Sequence, residues 1–540
     1  MEKREKKFIW LISIFTILLT FIPHFVGLYK LHNSDYKSYQ AYNMFALTDA
    51  NVYYSYINQA KEGKILFENL FTGEAQKPSL FHPLWLSAGV FASVTKLSAP
   101  FVYHLFRLLA CAFFFLVVYR FLTILRLSSS QRIIAFLFIA LSSGLGLFFI
   151  RFSDPSFYQI YYPSDSWIGE SNTFDSLYHS PLFPLSQSLI ILCFYFFLQA
   201  IKNNKNKYLL YCGLTILILS FIHTYDLITV AVVIVAYGLV LMLNDQLKSP
   251  REFFSFIKKG LFLVIFALPA LLQYFLVLRH EEAIIGWLKQ NITISPAVWS
   301  YLLGYGLIII FALCGSAYIV KKGLKHLYFL FVWIICGIVL IYFPHLQIQR
   351  RLSNGLHIPL SIVATIGFLW IYKKINKNGY LWRLVITVVI LIIFLFSTPF
   401  AIVVHDSLYI SRQKENDLHS YFITGKEMES YNFLKNAAGE NKIIYSHPWT
   451  GNILAGQGRR VFLGHGHQTV NAKIKRDVLD QFFNNFNEQE RKKYLKENNI
   501  AFLYFGPLEK TLGTWRPDKN SFLKLVFEKN DIQIFKIVYN

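Results

Sequence analysis

The chain has 540 residues, of which 54% are hydrophobic and only 16% charged, with a mean hydropathy of +0.40. Soluble domains carry about a quarter charged residues, so the composition excludes an ordinary soluble protein. Several apolar runs approach or exceed the roughly 20 residues that a bilayer requires, and they imply a polytopic membrane protein. The net charge of +22 then points to basic cytoplasmic loops rather than to nucleic acid. All five cysteines fall in apolar runs without a CxxC, which argues against redox chemistry.

The first apolar run, 8–29, follows MEKREKK. It is too long for a signal-peptide core and no small-residue cleavage site follows it, so it reads as an uncleaved helix. The loop 31–99 comes next and contains LTDANVYYSYINQA. Thr48 and Asp49 precede Val52, Tyr53, Tyr56, Ile57 and Ala60 at helical spacing, and Gly63 is a natural stop. An acid at this position caps a helix or complements its dipole, so capping and chemistry both stand as readings of Asp49. Residues 81–97 are apolar enough to pass for a span. A span there would carry Arg120, Arg126 and Arg132 to the outside, so the stretch reads as a short helix at the outer membrane face.

Further spans are expected near 101–119, 133–150, 181–201, 208–222, 227–243, 261–278, 297–320, 326–343, 356–372 and 384–403, which makes eleven in all. With the N-terminus inside, the 59 residues of the cytoplasmic segments hold 21 lysines and arginines, and the short outside segments hold 10 in more than twice that length. This asymmetry fits the positive-inside rule. It leaves the C-terminal region outside.

From about residue 404 the composition turns soluble. KEMESYNFLKNA, NAKIKRDVLDQFFNNF and EQERKKYLKE read as helices. KIIYS, RRVFLGH and IAFLYFG read as strands, and LKLVFEKNDIQIFKIV reads as a hairpin turning at Lys529–Asp531. The loops SHPWTGNILAGQG and GHGHQTVNAK are rich in Gly and His and are placed to form an acceptor platform or lid.

On this topology the unusual polar residues gather on one side. Loop 31–99 holds Asp49, His82 and four further acids. Loop 151–180 holds Asp154, Asp165, Glu170, Asp175 and His179. Asp154 stands just after a span, and Asp154-Pro155 is also a turn signal. Asp165 and Glu170 read as solvated loop acids, although loops this long tend to be functional, which keeps Glu170 a candidate. His223 and Asp226 interrupt an apolar run, where polar residues are functional candidates; a mutual hydrogen bond is the plainer reading. Arg350 and Arg351 depart from the positive-inside pattern. Their planar guanidinium forks suit phosphate, whether on a substrate or on a lipid headgroup. His447, His465 and His467 offer metal donors but have no Cys or acid at a usual spacing; acceptor-binding loop histidines are the other reading. No GxGxxG, Walker loop or GxSxG is present, so nucleotide binding has no support.

The ordered set now in hand comprises TDANVYYSYI at 48–57 in the first outer loop, SDP at 153–155 after the third span, and a soluble region at the end. Across the layout of the whole chain it resembles the GT-C membrane glycosyltransferases. The similarity is to the lipid A aminoarabinose transferases, the protein O-mannosyltransferases and the bacterial oligosaccharyltransferase, although the acceptor signature WWD of the last is absent. The resemblance implies a polytopic α-helical GT-C-like domain over 1–403 and an extracytoplasmic α/β domain over 404–540, at the plasma membrane. It implies a transferase that moves a sugar from a polyprenyl-phosphate donor to a hydroxyl or amine of a protein, lipid or glycan acceptor. Asp49 would be its catalytic or metal-binding acid, with Mg²⁺ or Mn²⁺ as the ion, and Asp154 a second acid. Arg350 and Arg351 are assigned to the phosphate by chemistry. Glu170, His223, Asp226, Tyr53 and His82 complete the candidate substrate-binding set. A transporter or flippase of lipid-linked sugars is the alternative. Transporters bind near the midplane between internal repeats, and no repeat is seen.

Overall fold

The computed structural model describes residues 2–149, 162–243, 249–375, 384, 385, 387, 388, 397–415, 417–439 and 442–539. Asp154 and part of the expected span 384–403 lie outside these residues. The protein is mostly helical and is a multi-pass membrane protein. Among the described residues six helices are long and apolar enough to cross a bilayer: Lys3–His32, Ala99–Ile124, Ser129–Phe148, Leu182–Asn203, Asp226–Leu243 and Pro250–His280. The pair Val298–Tyr305 and Leu307–Lys321 is bent by 84° and makes a seventh if taken as one span. Others of the eleven expected spans are helices too, namely Asn206–Ile222, Lys325–Ile341 and His357–Ile375. Residues 81–97 contain the helix Pro83–Thr95, whose 13 residues reach about 20 Å, short of the roughly 30 Å hydrocarbon layer.

Helix Pro250–His280 shows how the bundle meets lipid. Leu261, Ile265, Leu268, Leu272 and Phe275 are all exposed along it, which only an apolar solvent tolerates at this density. Inside the bundle, Leu307–Lys321 and His357–Ile375 pack at backbone contact. A Cβ at Gly315 would overlap the Val363 carbonyl, and one at Gly367 the Phe311 carbonyl. Small residues allow this close approach, which drives helix association in membranes.

Arg107, in the helix Ala99–Ile124, is fully buried. Its guanidinium donates to the carbonyls of Leu177 (3.0 Å), Tyr178 (3.3 Å) and Thr20 (3.3 Å). Asn43 Nδ2 donates to the carbonyls of Tyr178 and His179, and Tyr103 Oη to that of His179. These donors satisfy the orphan carbonyls at the end of the short helix Thr173–His179 and fix where His179 stands.

Strands β1 (Ser38–Tyr39) and β2 (Phe422–Ile423) pair antiparallel, which joins loop 31–99 to the start of the C-terminal region. That region also has a four-stranded sheet made of β3 (Ile443–Tyr445), β4 (Ile500–Phe505), β5 (Leu523–Lys529) and β6 (Ile532–Ile537), in the order β3-β4-β6-β5. β3 runs parallel to β4 and the other neighbours are antiparallel. The expected helices appear as Gly425–Ala437, Ala472–Asn484 and Glu488–Glu497. RRVFLGH does not form a strand. It makes isolated bridges at Val461 and Leu463 only, because the segment is held by loop 31–99 as well as by β3. The expected loop SHPWTGNILAGQG contains the helix Pro448–Gly456, started by Pro448 at its first position and capped by the His447 ring.

Three ion pairs also tie loop 31–99 to the C-terminal region: Glu62–Arg459 (2.8 Å), Glu68–Arg460 and Glu74–Lys475 (2.7 Å). Asp165 is a correction. It is not a solvated loop acid but is fully buried. Its Oδ2 accepts from Gly144 N (2.8 Å), Gly146 N (3.2 Å) and Thr398 Oγ1 (2.7 Å). Three donors converging on one oxygen make it a knot between loop 151–180 and the bundle.

Candidate functional site

Helix Asp49–Lys61 begins at Thr48, whose side chain makes no capping hydrogen bond. Asp49 follows as the first helical residue, near the positive end of the helix dipole. Its side chain points to the C-terminal region, where Oδ1 lies 2.9 Å from His465 Nε2. The helix is seated by Pro83–Thr95: Tyr53 stacks on Trp85 with centroids 4.6 Å apart, and a Cβ at Gly89 would overlap that of Ala60.

These elements form one wall of a cavity of about 260 Å³, just under the lower edge of small-molecule clefts, roughly 300–1,000 Å³. Asp49, Tyr53, His82, Glu170, His223, Arg350 and Arg351 all line it. They come from four separate stretches of the chain. The Asp49 side chain is 49% exposed while that of His465 is 3% exposed, so the carboxylate looks into the cavity and the imidazole backs it. Desolvation works to raise the Asp49 value. The hydrogen bond from His465 and the electrostatics of His465, His179 and the Arg351 guanidinium outweigh it and hold the carboxyl well below the usual carboxylate range.

The arginines sit on a 3₁₀ turn, Gln349–Ser353. The turn is anchored where Arg350 N donates to the Thr293 carbonyl (2.9 Å) and Thr293 N to the Gln347 carbonyl (2.7 Å). The Arg350 guanidinium lies over Trp167 at 5.2 Å and that of Arg351 over Tyr225 at 5.3 Å. Arg351 Nη2 donates to Asn291 Oδ1 (3.1 Å). Among the described residues neither arginine forms an ion pair, and both Nε atoms are buried without a partner. Burial opposes the charge on Arg351, but Tyr225, Glu170, Tyr53 and Asp49 nearby hold it above its ordinary value. Stacked, partly desolvated guanidiniums of this kind have the chemistry to bind an anion.

The remaining candidates serve the wall. His82 precedes helix Pro83–Thr95, and its Nε2–H donates to the Ile222 carbonyl (3.2 Å); burial pushes the ring down to about 3. His223 Nδ1 lies 2.9 Å from Asp226 Oδ2 but is not aligned for a hydrogen bond. Asp226 does not line the cavity. It lies behind His223 and accepts from Asn354 Nδ2 (2.9 Å). His179 lines the cavity beside Glu170, its ring lowered by burial. Asp154 cannot be placed with them. His447 acts as a helix cap, away from the cavity, and burial pushes it down to about 4.

Sequence reasoning missed the ring partners Trp167 and Tyr225, the hydrogen-bond acceptor Asn291, and the pairing of His465 with Asp49. The GHGH spacing was the only signal for the last. Among the described residues no group of three or more His, Cys, Asp or Glu is arranged to hold a metal ion. Asp49 and His465 supply two donors, and the His465 nitrogen that faces Asp49 is engaged with it.

No family model and no curated protein matches the sequence. Solved structures match by fold. The oligosaccharyltransferase of Archaeoglobus fulgidus, solved with a tethered acceptor peptide, aligns with a TM-score of 0.54 at 12% identity, over 92% of this chain and 68% of that one. The arabinofuranosyltransferase AftD from Mycobacteria aligns with a TM-score of 0.54 at 12% identity, over 99% of this chain and 42% of that one. Both are GT-C membrane glycosyltransferases, and the chain shares their fold.

Proposed function

We propose that the protein is an integral-membrane glycosyltransferase that moves a sugar from a polyprenyl-phosphate donor to an acceptor hydroxyl or amine, with Asp49 as the base. One observation carries this reading: a single cavity opposes the carboxylate of Asp49 to an arginine couple, Arg350 and Arg351, that forms no ion pair among the described residues. The fold shared with GT-C glycosyltransferases supports it.

The chemistry follows from that opposition. The acceptor O–H or N–H faces Asp49, which takes its proton as the acceptor attacks the anomeric carbon. The bond from that carbon to the phosphate oxygen breaks, and the lipid phosphate leaves with the electron pair. Negative charge grows on the departing phosphate, where the two guanidiniums stabilise it more than they do the ground state. Tyr53 and Trp85 present a ring surface to the sugar, and Glu170 and His223 supply polar contacts along the same wall. The positive-inside asymmetry supports eleven spans, a cytoplasmic N-terminus and an extracytoplasmic α/β domain at 404–540. The cavity then opens on the extracytoplasmic side, where a lipid-linked donor makes a nucleotide site unnecessary. The acceptor is a protein, lipid or glycan on that side.

The test uses protein in lipid nanodiscs with a panel of radiolabelled polyprenyl-phosphate sugars, following sugar release and transfer. Wild type turns over one donor, and Asp49→Asn lowers that turnover by about 10²–10⁴-fold at unchanged thermal stability. Movement of intact donor across a sealed membrane without cleavage would instead establish a transporter.

A further inference from the structure

The segment 464–470 of the C-terminal region crosses beside Asp49 as a fastened strap. Thr469 Oγ1 accepts from Gly464 N (3.1 Å) and His465 N (3.0 Å) and donates to the Phe71 carbonyl (2.6 Å). Val470 N donates to Thr72 Oγ1 (3.1 Å), and Asn69 Nδ2 to the Gln468 carbonyl (2.8 Å). From the other side Gln290 Nε2 donates to the Thr469 carbonyl (2.8 Å). Phe71 packs edge-on against the His465 ring at 5.8 Å.

Within this strap the His465 ring has only one available orientation of its proton. Its Nδ1 accepts from the backbone amides of His467 (3.0 Å) and Gln468 (3.1 Å). A nitrogen that accepts carries no proton, so the ring proton is assigned to Nε2. That Nε2–H points at Asp49 Oδ1, 2.9 Å away. Asp49 Oδ2 makes no hydrogen bond or ion pair among the described residues. The terminal torsion of an aspartate is broad and roughly two-fold, so an untethered carboxylate exchanges its two oxygens. Tethered through Oδ1, it keeps Oδ2 toward the cavity.

The geometry points to His465 as a positioning residue for Asp49: its Nε2–H commits one carboxylate oxygen and leaves the other to face the acceptor. This rests on the transferase reading above and adds a residue that the reading does not require. His465 does not itself touch donor or acceptor. Its contribution is to hold the proton-accepting oxygen in one place before the acceptor arrives, which is where orientation lowers a barrier. The strap holds the histidine, the histidine holds the carboxylate, and the carboxylate meets the substrate.

Two measurements test it. Steady-state transfer is compared for wild type, His465→Ala, His465→Gln and Asp49→Asn with whichever polyprenyl-phosphate sugar of the panel turns over. His465→Ala is expected to lower kcat by about 10–100-fold with donor KM within about 2-fold, since orientation and not donor binding is lost. His465→Gln places an amide N–H at similar reach and is expected to regain about 10-fold. If His465→Ala equals wild type while Asp49→Asn is inactive, the positioning role is overturned and the transferase reading stands. If Asp49→Asn is active, the transferase reading with Asp49 as base fails. If His465→Ala and His465→Gln lose activity together with thermal stability, His465 is structural and the inference is overturned. The second measurement needs no substrate. Nitrogen-15 NMR of histidine-labelled protein, with His465→Gln for assignment, is expected to show an unprotonated Nδ1 and a protonated Nε2 at His465. A protonated Nδ1 overturns the inference whatever the donor.

Discussion

Arg350 and Arg351 differ in what holds them. The Arg351 guanidinium is braced by Asn291 and Tyr225, whereas among the described residues that of Arg350 has the Trp167 ring and no side-chain hydrogen bond. A charge-assisted hydrogen bond is worth roughly 1.5–3 kcal/mol, so Arg350→Ala and Arg351→Ala are each expected to lower kcat/KM for the donor by about 10–100-fold in the nanodisc assay, with kcat falling because the contact is strongest in the transition state. Lysine at either position restores the charge but not the fork and is expected to regain only part of the loss. Asp165 belongs to the same scale but governs stability. Desolvation raises its carboxyl from 3.8 to about 7, against the hydrogen bonds from Thr398, Gly146 and Gly144. A carboxyl raised in the folded state binds its proton there preferentially between about pH 4 and 7. That favours the folded state at the acid end and is lost as pH rises through 7. The full effect is on the order of 4 kcal/mol. The apparent unfolding midpoint is therefore expected to fall between pH 5 and pH 8, and to fall less in Asp165→Asn. The arginine pair stood out in the sequence by departing from the positive-inside trend, and it lines the cavity. Asp165 was not readable, because a polar loop sequence does not reveal that its donors come from Gly144, Gly146 and Thr398 on other segments.

Elements were legible where their period was strong. The helix at 49–61 follows from the spacing of Val52, Tyr53, Tyr56, Ile57 and Ala60, and the hairpin of β5 and β6 turns at Asn530 as the alternation predicts. The segment around Val461 failed because strand propensity speaks only when a partner edge is free, and here loop 31–99 takes its place. The helix Pro448–Gly456 was masked by its glycines, although Pro448 marked its start. Helix pairing could not be read at all, since Gly315 and Gly367 show their use only against each other. Their contact makes a clear expectation. Gly367→Val inserts a branched side chain against the Phe311 carbonyl, where something must shift, at a cost of roughly 1–3 kcal/mol or more. The variant is expected to lose several degrees of apparent unfolding midpoint in detergent, with Gly315→Val alike and Gly323→Ala, which meets open space but has a positive φ, affected less.

At the scale of the whole molecule the helical, multi-pass character was legible in the sequence, and the packing of the C-terminal region on loop 31–99 was not. Charge asymmetry suggested which ends of the bundle face the cytoplasm, and the shared fold agrees with the overall plan. Orientation has a direct test. Lys325 and Lys524 are both exposed, and four of the five native cysteines are buried with Cys314 half-buried. In intact cells a membrane-impermeant thiol reagent is expected to label Lys524→Cys and to spare Lys325→Cys; the reverse pattern would turn the topology over.

The Asp49–His465 contact joins residues 416 positions apart. The three ion pairs and the β1–β2 pairing span similar intervals. Translation runs from N to C, and domains generally fold in that order. The acid is therefore made hundreds of residues before the histidine that lies against it. A chain whose C-terminal region has not yet docked on loop 31–99 would therefore hold Asp49 without its histidine partner.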